Sequence, residues 1–437
     1  MSPGKKALFA ALPALALLTG GELGARAIGA EDCAAIVPDA SGWEQMIGDT
    51  RLLWKLEPGR LFESPAGVTR VNDVGLRTKL LPSDKKAADE RRILVTGDSS
   101  VYGWGQPDGM TYAEQLEAEL NKQLVGVRVS VVNLGVPGYS TEQTLRLLED
   151  VGWAYEPDLL IVHNIFSDCN IDAFQDEAAL ALADPEATAL RRTLHSSRLY
   201  CAVYMPWARH QATLNQETGR VLMPGIPTGA NAAVALEKLD TVIDLSRVPL
   251  GDYLENLGEI KAGAESRGAK IMLAPLAQEW DVGVWNVPMP KPTEGQVLPW
   301  TPYRTAQAEW AEANDVLRVP MFEAFAAAEG DPAGLFIDNM HPSVRGAQVM
   351  AWAITDALRE NPELLGLSAA NIGPAPPRVA VAGPSRPAGG PMPPGQPGQG
   401  PPGQPGQPGQ PGQGPPGQPG QQPGPPGPPP GPPGPPR

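Results

Sequence analysis

The sequence predicts an α/β fold in three layers, a central parallel sheet with helices on both faces. From residue 91 onward, short apolar runs alternate with amphipathic segments of helical period. The helical segments are long enough to serve as right-handed crossovers between parallel strands. Polar, glycine-containing stretches follow several of the apolar runs directly, and open α/β sheets place their ligands at those strand ends.

In chain order, Arg92–Thr96 is four-fifths apolar or β-branched and reads as a buried strand that breaks at Gly97. Thr111–Leu124 carries Leu116, Leu120 and Leu124 at helical spacing. Val127–Leu134 is the second strand, and Ser140–Tyr155 a second helix opened by a Ser/Thr cap. Pro157-Asp158 leads into a fully apolar strand, Leu159–Val162. Helical segments at Leu250–Glu265 and Pro302–Ala313 flank strand-like Lys270–Pro275 and Val316–Met321, and a last helix runs from Ser343 to Arg359.

The flanks read differently. Residues 1–30 open with Lys5-Lys6 before an apolar run, Ala7 to Thr19, the pattern of an export signal, with Ala25-Arg26-Ala27 and Ile28-Gly29-Ala30 as cleavage sites. The run is short for a span of about 20 residues, so a cleaved signal and an uncleaved membrane anchor both stand. Either way the chain is expected to be exported, as a periplasmic, envelope-anchored or secreted protein. Residues 31–90 form a lead-in of short strands or extended wrap, punctuated by Pro58-Gly59 and Pro65-Ala66-Gly67. The α/β body is expected over 91–365. Residues 172–249 interrupt its rhythm as an insertion, with a helix at Ala189–Tyr204 and a Gly/Pro-rich piece at Met223–Gly229. Residues 366–437 are rich in Pro, Gly and Gln. Their glycine period breaks repeatedly, as between Gly398 and Gly400, so a disordered tail, either a spacer or a segment that contacts envelope components, is expected rather than a collagen helix.

Composition narrows the function classes. The net charge is −15, and the three arginines beyond residue 370 leave the preceding body at −18, which argues against nucleic-acid partners. Three cysteines, Cys33, Cys169 and Cys201, are too few for a disulfide scaffold; Cys169 and Cys201 either pair or remain buried thiols. The four histidines, His163, His195, His210 and His341, take no metal-ligand spacing with cysteine, so neither a metal nor a cofactor is expected.

The chemistry concentrates at strand ends. Gly97-Asp98-Ser99 follows the first strand and continues to Trp104-Gly105; Asn133 to Gly138 follows the second; His163-Asn164-Ile165-Phe166-Ser167-Asp168 follows the third. Asp338-Asn339-Met340-His341 precedes the last helix. A histidine that deprotonates a serine, and an aspartate that orients the histidine, make a nucleophile. Asp98 reads as a turn residue, and His163 as packing. Tyr102, Trp104 and Tyr139 read as core or rim, with stacking on a sugar as the alternative.

This order of motifs resembles the SGNH, or GDSL-type, esterase and lipase superfamily over residues 91–358. The resemblance implies a flavodoxin-like fold, with Ser99 as nucleophile, His341 as base and Asp338 as its orienting acid. It further implies an oxyanion hole from the amides of Ser99 and Gly138 and a third donor. The superfamily reads Gly-x-Asn-Asp at its third block. Here Ile165, Ser167 and Asp168 occupy the Gly, Asn and Asp positions, so Ser167 is the aligned donor, with Asn164 or Asn170 as substitutes. The expected activity is hydrolysis of small acyl esters, with O-acetyl groups on carbohydrate as candidate substrates. Two alternatives stand beside it: an O-acyltransferase using the same site, and a catalytically impaired envelope-binding module.

Overall fold

In a computed structural model, the described residues are 3–30, 46–64, 67–170, 175–183, 189–207, 234–284 and 292–380. The tail beyond 380 and the piece at 223–229 lie outside them.

Five parallel strands form the central sheet: β1 (Glu90–Thr96), β2 (Arg128–Asn133), β3 (Leu159–Val162), β4 (Lys270–Leu273) and β5 (Leu317–Arg318). Their spatial order is β5-β4-β3-β1-β2, the flavodoxin-like 2-1-3-4-5 arrangement read from the other edge. The apolar runs of the inner strands are buried in the core, as their composition requires: Ile93 to Val95 and Leu159 to Val162 are all fully inaccessible. Chain direction reverses its winding between β1 and β3, so the loops after those two strands part and open a crevice.

Six helices flank the sheet: α1 (Tyr112–Gln123), α2 (Thr141–Asp150), α3 (Leu250–Glu265), α4 (Trp300–Ala313), α5 (Met321–Ala326) and α6 (Val344–Glu360). α1 and α5 pack on α6 in one layer, while α2 and α4 pack on α3 in the other. The starts of α1 and α2 are fixed by reciprocal capping boxes, Thr111 with Glu114 and Ser140 with Gln143.

Several boundaries differ from the expectation for local reasons. The predicted helix Ser140–Tyr155 ends at Asp150, and Gly152–Tyr155 tightens to a 3₁₀ turn. The last strand is two residues long because Pro320 has no N–H for the ladder and instead precedes α5, a helix the apolar pattern hid. The predicted helix Ala189–Tyr204 breaks after His195, where the Ser197 hydroxyl accepts from the Tyr200 amide and starts a new turn. Packed chain also runs past 365: Leu367 is buried, Val125 N donates to Asn371 O at 2.9 Å, and Gly373 N donates to Gln123 O at 2.7 Å.

The lead-in forms two antiparallel hairpins, Met46–Asp49 with Leu53–Leu56 and Leu61–Ser64 with Gly67–Arg70. At the N-terminus, Pro3–Ala27 is helical; among the described residues, no helix is long and apolar enough to cross a membrane. Cys169 is a free, buried thiol, whereas Cys201 is disulfide-bonded, so the two do not pair. Cys169 is held in the core beneath the loop after β3, where burial pushes its thiol well above the ordinary range.

Candidate active site

Ser99 begins a four-residue helical turn, Ser99–Tyr102, immediately after β1. Asp98 caps that turn: its carboxylate accepts from the Ser100 amide at 3.0 Å, and the residue is 4% exposed. The turn closes at Gly103 and is then gripped by Arg77 from the lead-in. The buried guanidinium donates to the carbonyls of Tyr102 (3.1 Å), Gly103 (2.7 Å) and Gln106 (2.6 Å). Backbone carbonyls of a buried loop are thereby satisfied by charged donors. Gln106 in turn donates to Pro342 O at 2.7 Å, joining the serine loop to the histidine loop.

The Asp-x-x-His spacing works because the segment folds back on itself. Asp338 Oδ1 accepts from the amides of Met340 (2.9 Å) and His341 (2.8 Å), which brings the imidazole over the carboxylate. Its other oxygen, Oδ2, lies 2.6 Å from His341 Nδ1, and His341 Nε2 lies 2.7 Å from Ser99 Oγ. An ionised carboxylate only accepts, so Nδ1 carries the proton and Nε2 presents its lone pair to the serine hydroxyl. Ser343 then caps α6 through the Gly346 amide and anchors to Gly334 O.

The charges are coupled. Burial works against an imidazolium at His341, but the charge and hydrogen bond of Asp338, with the charge of Asp98 behind them, outweigh it and raise its pKa. Burial likewise opposes ionisation of Asp338, yet the His341 charge and the three hydrogen bonds it accepts bring it down to about 2. Burial raises the Asp98 pKa against its hydrogen bonds and the nearby histidine. The His341 ring lies beside Trp104, with centroids 6.0 Å apart.

The loop after β2 is stapled to the serine turn. Asn133 Nδ2 donates to Val101 O at 2.9 Å and its Oδ1 accepts from Gly135 N at 2.8 Å. A Cβ on Gly135 would stand 2.4 Å from Tyr102 N, so only glycine permits this approach. Beyond it, Tyr139 N donates to Val136 O at 3.1 Å around Pro137 and Gly138, the latter with φ +78°. Proline second and a positive-φ glycine third define a type II turn.

The loop after β3 separates the proposed oxyanion donors. Asn164 is fully buried; its amide nitrogen donates to Tyr139 O at 3.2 Å and its oxygen accepts from Thr144 Oγ1 at 3.3 Å. Those bonds make it a brace between α2 and its preceding loop. The Ser167 hydroxyl makes no hydrogen bond to another described residue. Asp168 accepts from the amide and hydroxyl of Thr141 at 2.8 and 2.6 Å, holding the start of α2; burial raises its pKa to about 7 against those bonds. Asn170 contributes its carbonyl to the Arg247 amide. His163 is buried against the Tyr112 hydroxyl at 3.0 Å, and burial lowers its pKa to about 3, so it stays neutral. Tyr102 and Tyr139 are core residues, the latter donating to Trp54 O at 2.6 Å.

Ser99, His341 and Asp338 are thus brought into one hydrogen-bonded line, and Gly138 is placed on a turn bound to the same loop. Arg77, Gln106, Trp54 and Arg247 escaped the reading of the sequence, since they act through backbone carbonyls and carry no motif. Among the described residues, no group of three or more His, Cys, Asp or Glu is arranged to hold a metal.

A model of the GDSL-like lipase/acylhydrolase family matches residues 95–349. No curated protein matches the chain. Among solved structures, the chain is similar to the acetylxylan esterase Axe2 of Geobacillus stearothermophilus, with 16% identity over 64% of this chain and 95% of that one and a TM-score of 0.36. It is also similar to a lipase/acylhydrolase of Enterococcus faecalis, with 13% identity over 62% of this chain and 96% of that one and a TM-score of 0.36. A third likeness is to LAE5, an alpha/beta hydrolase from the metagenome of Lake Arreo, Spain, with 16% identity over 61% of this chain and 94% of that one and a TM-score of 0.34.

Proposed function

The chain belongs to the GDSL-like lipase/acylhydrolase family, and we propose that this ester hydrolase cleaves small acyl esters through Ser99, His341 and Asp338. The observation that carries the reading is the unbroken line from Asp338 Oδ2 to His341 to Ser99 Oγ, with links of 2.6 and 2.7 Å. His341 takes the serine proton at Nε2 while Asp338 holds its tautomer, and Ser99 Oγ attacks the ester carbonyl. The resulting oxyanion is met by the amides of Ser99 and Gly138 and by the Ser167 hydroxyl. Collapse of the tetrahedral adduct expels the alcohol, which receives the proton from His341. Water then attacks the acyl-Ser99 ester, again giving its proton to His341, and collapse of that adduct releases the carboxylic acid while His341 returns the proton to Ser99 Oγ.

The intact relay favours catalysis over an impaired binding module. Export is supported by the basic-then-apolar start of the chain and by the disulfide at Cys201, a bond characteristic of oxidising compartments. O-acetylated carbohydrate fits an exported esterase as substrate, and water as acceptor is the simplest completion of the cycle. Hydrolysis of p-nitrophenyl acetate and covalent labelling by a fluorophosphonate test the reading. Both are expected of the wild type, and both should vanish in Ser99→Ala. Undiminished turnover in that variant would remove Ser99 from the mechanism.

A further inference from the structure

The turn that carries Gly138 is held from outside the α/β body. The Pro137–Gly138 peptide is trans, so its carbonyl and its N–H point in opposite directions. The Trp54 indole Nε1–H, from the second strand of the first lead-in hairpin, donates to Pro137 O at 2.9 Å in a buried contact. The Gly138 N–H therefore faces away from Trp54, and it makes no hydrogen bond to another described residue.

The following peptide is held independently. Arg247 Nη1 donates to Gly138 O at 2.7 Å, and its guanidinium is fixed by Asp176 at 2.8 and 2.7 Å and by Gln143 Oε1 at 2.9 Å. That guanidinium lies 5.3 Å over the Trp54 ring. A Cβ at position 138 would stand 3.1 Å from Trp54 Cζ2, so indole and turn are in close contact.

Type I and type II turns differ mainly by a half-rotation of the central peptide. In the type I form, the Pro137 carbonyl would occupy the direction now taken by the Gly138 N–H. A partially negative acceptor oxygen would then replace a hydrogen-bond donor. We propose that Trp54 is a positioning residue for the oxyanion hole: its indole N–H, by holding Pro137 O, keeps the turn in the type II form that presents the Gly138 amide. This rests on the hydrolytic reading of the Ser99 site and deepens it, since it gives the lead-in hairpin a role in transition-state stabilisation.

Trp54→Phe removes the donor and keeps an aromatic ring. Should that variant fold poorly, site-specific replacement of the indole by benzothiophene deletes only the N–H and keeps the bicyclic shape. In either protein, kcat on p-nitrophenyl acetate is expected to fall about tenfold or more with KM changed less than about twofold, the pattern of a transition-state contact. The Ki of a trifluoromethyl ketone, whose serine adduct is an oxyanion, should rise in step. A merely structural role would not move that inhibitor selectively. Wild-type kcat in both variants, or a reduced kcat with unchanged ketone affinity, overturns the role of Trp54 and leaves the Ser99 reading standing. A wild-type protein that neither hydrolyses the ester nor takes the fluorophosphonate overturns both.

Discussion

At the scale of single residues, the site is governed by the opposition between His341 as a base and His341 as an ion-pair partner. Its raised pKa means the imidazolium is favoured by folding, so the pair adds stability that is complete below the ordinary histidine value and disappears as pH rises through the higher folded value. Asp338, brought down to about 2, adds stability that is present above the ordinary aspartate range and is lost as pH falls toward that value. The proposed mechanism needs the neutral imidazole. The kcat/KM profile should therefore rise through an apparent pKa above the usual ~6.5 of histidine. Asp338→Asn should move that inflection down and lower kcat by at least about 10²-fold, because the tautomer is no longer enforced. A pH–rate series on both proteins checks this, and an inflection left in place in the variant would contradict it. Ser99, Asp338 and His341 were legible in the sequence because each sits in a short motif whose spacing is set by its own local hydrogen bonds.

At the scale of elements, the strand-end loops share the work unequally. The loop after β3 holds two polar side chains that the sequence offers as equals, Asn164 and Ser167. Asn164 is bound on both ends of its amide between Tyr139 and Thr144, while the Ser167 hydroxyl bonds to no other described residue. Ser167→Ala is therefore expected to reduce kcat by roughly 10- to 10²-fold with thermal stability nearly unchanged. Asn164→Ala should instead lower the thermal midpoint, since two buried partners lose their hydrogen bonds at about 1–3 kcal/mol each. Paired kinetics and melting curves separate the two, and a stability loss in Ser167→Ala with unaltered kcat would reverse the assignment. Sequence could not rank these residues, because their difference lies in partners 20 or more positions away. The same limit hid α5: its six residues are too short for a helical period to declare itself, and Pro320 made the stretch read as a strand end.

At the scale of the molecule, alternation of strands and helices announced the layers, and the β1 to β3 crossover placed the crevice. What alternation cannot announce is reach from outside the sheet. The lead-in hairpins contribute Trp54, and the segment after them Arg77, to loops some 25 to 85 residues further along. At the far end, the chain remains paired with the body through Gly373. A Pro/Gly-rich composition does not reveal that pairing, which uses mostly backbone groups, joined by the side chains of Arg359 and Asn371. Beyond residue 380 the sequence has few large apolar side chains to bury. A protein ending at residue 380 should keep kcat/KM within about twofold of the full chain. A larger loss, measured on the same ester, would tie the tail to the reaction.

The bond between Ser99 and His341 closes a loop of 242 positions, and the histidine precedes only the final helix of the sheet's outer layer. Synthesis runs from the N-terminus, so the nucleophile, its turn and the arginine beneath it leave the ribosome long before their base exists. Until α6 emerges and docks, Ser99 is an ordinary alcohol. On the proposed mechanism, activity is therefore the last property this chain acquires, and a molecule cut short anywhere before residue 341 is expected to be born inert.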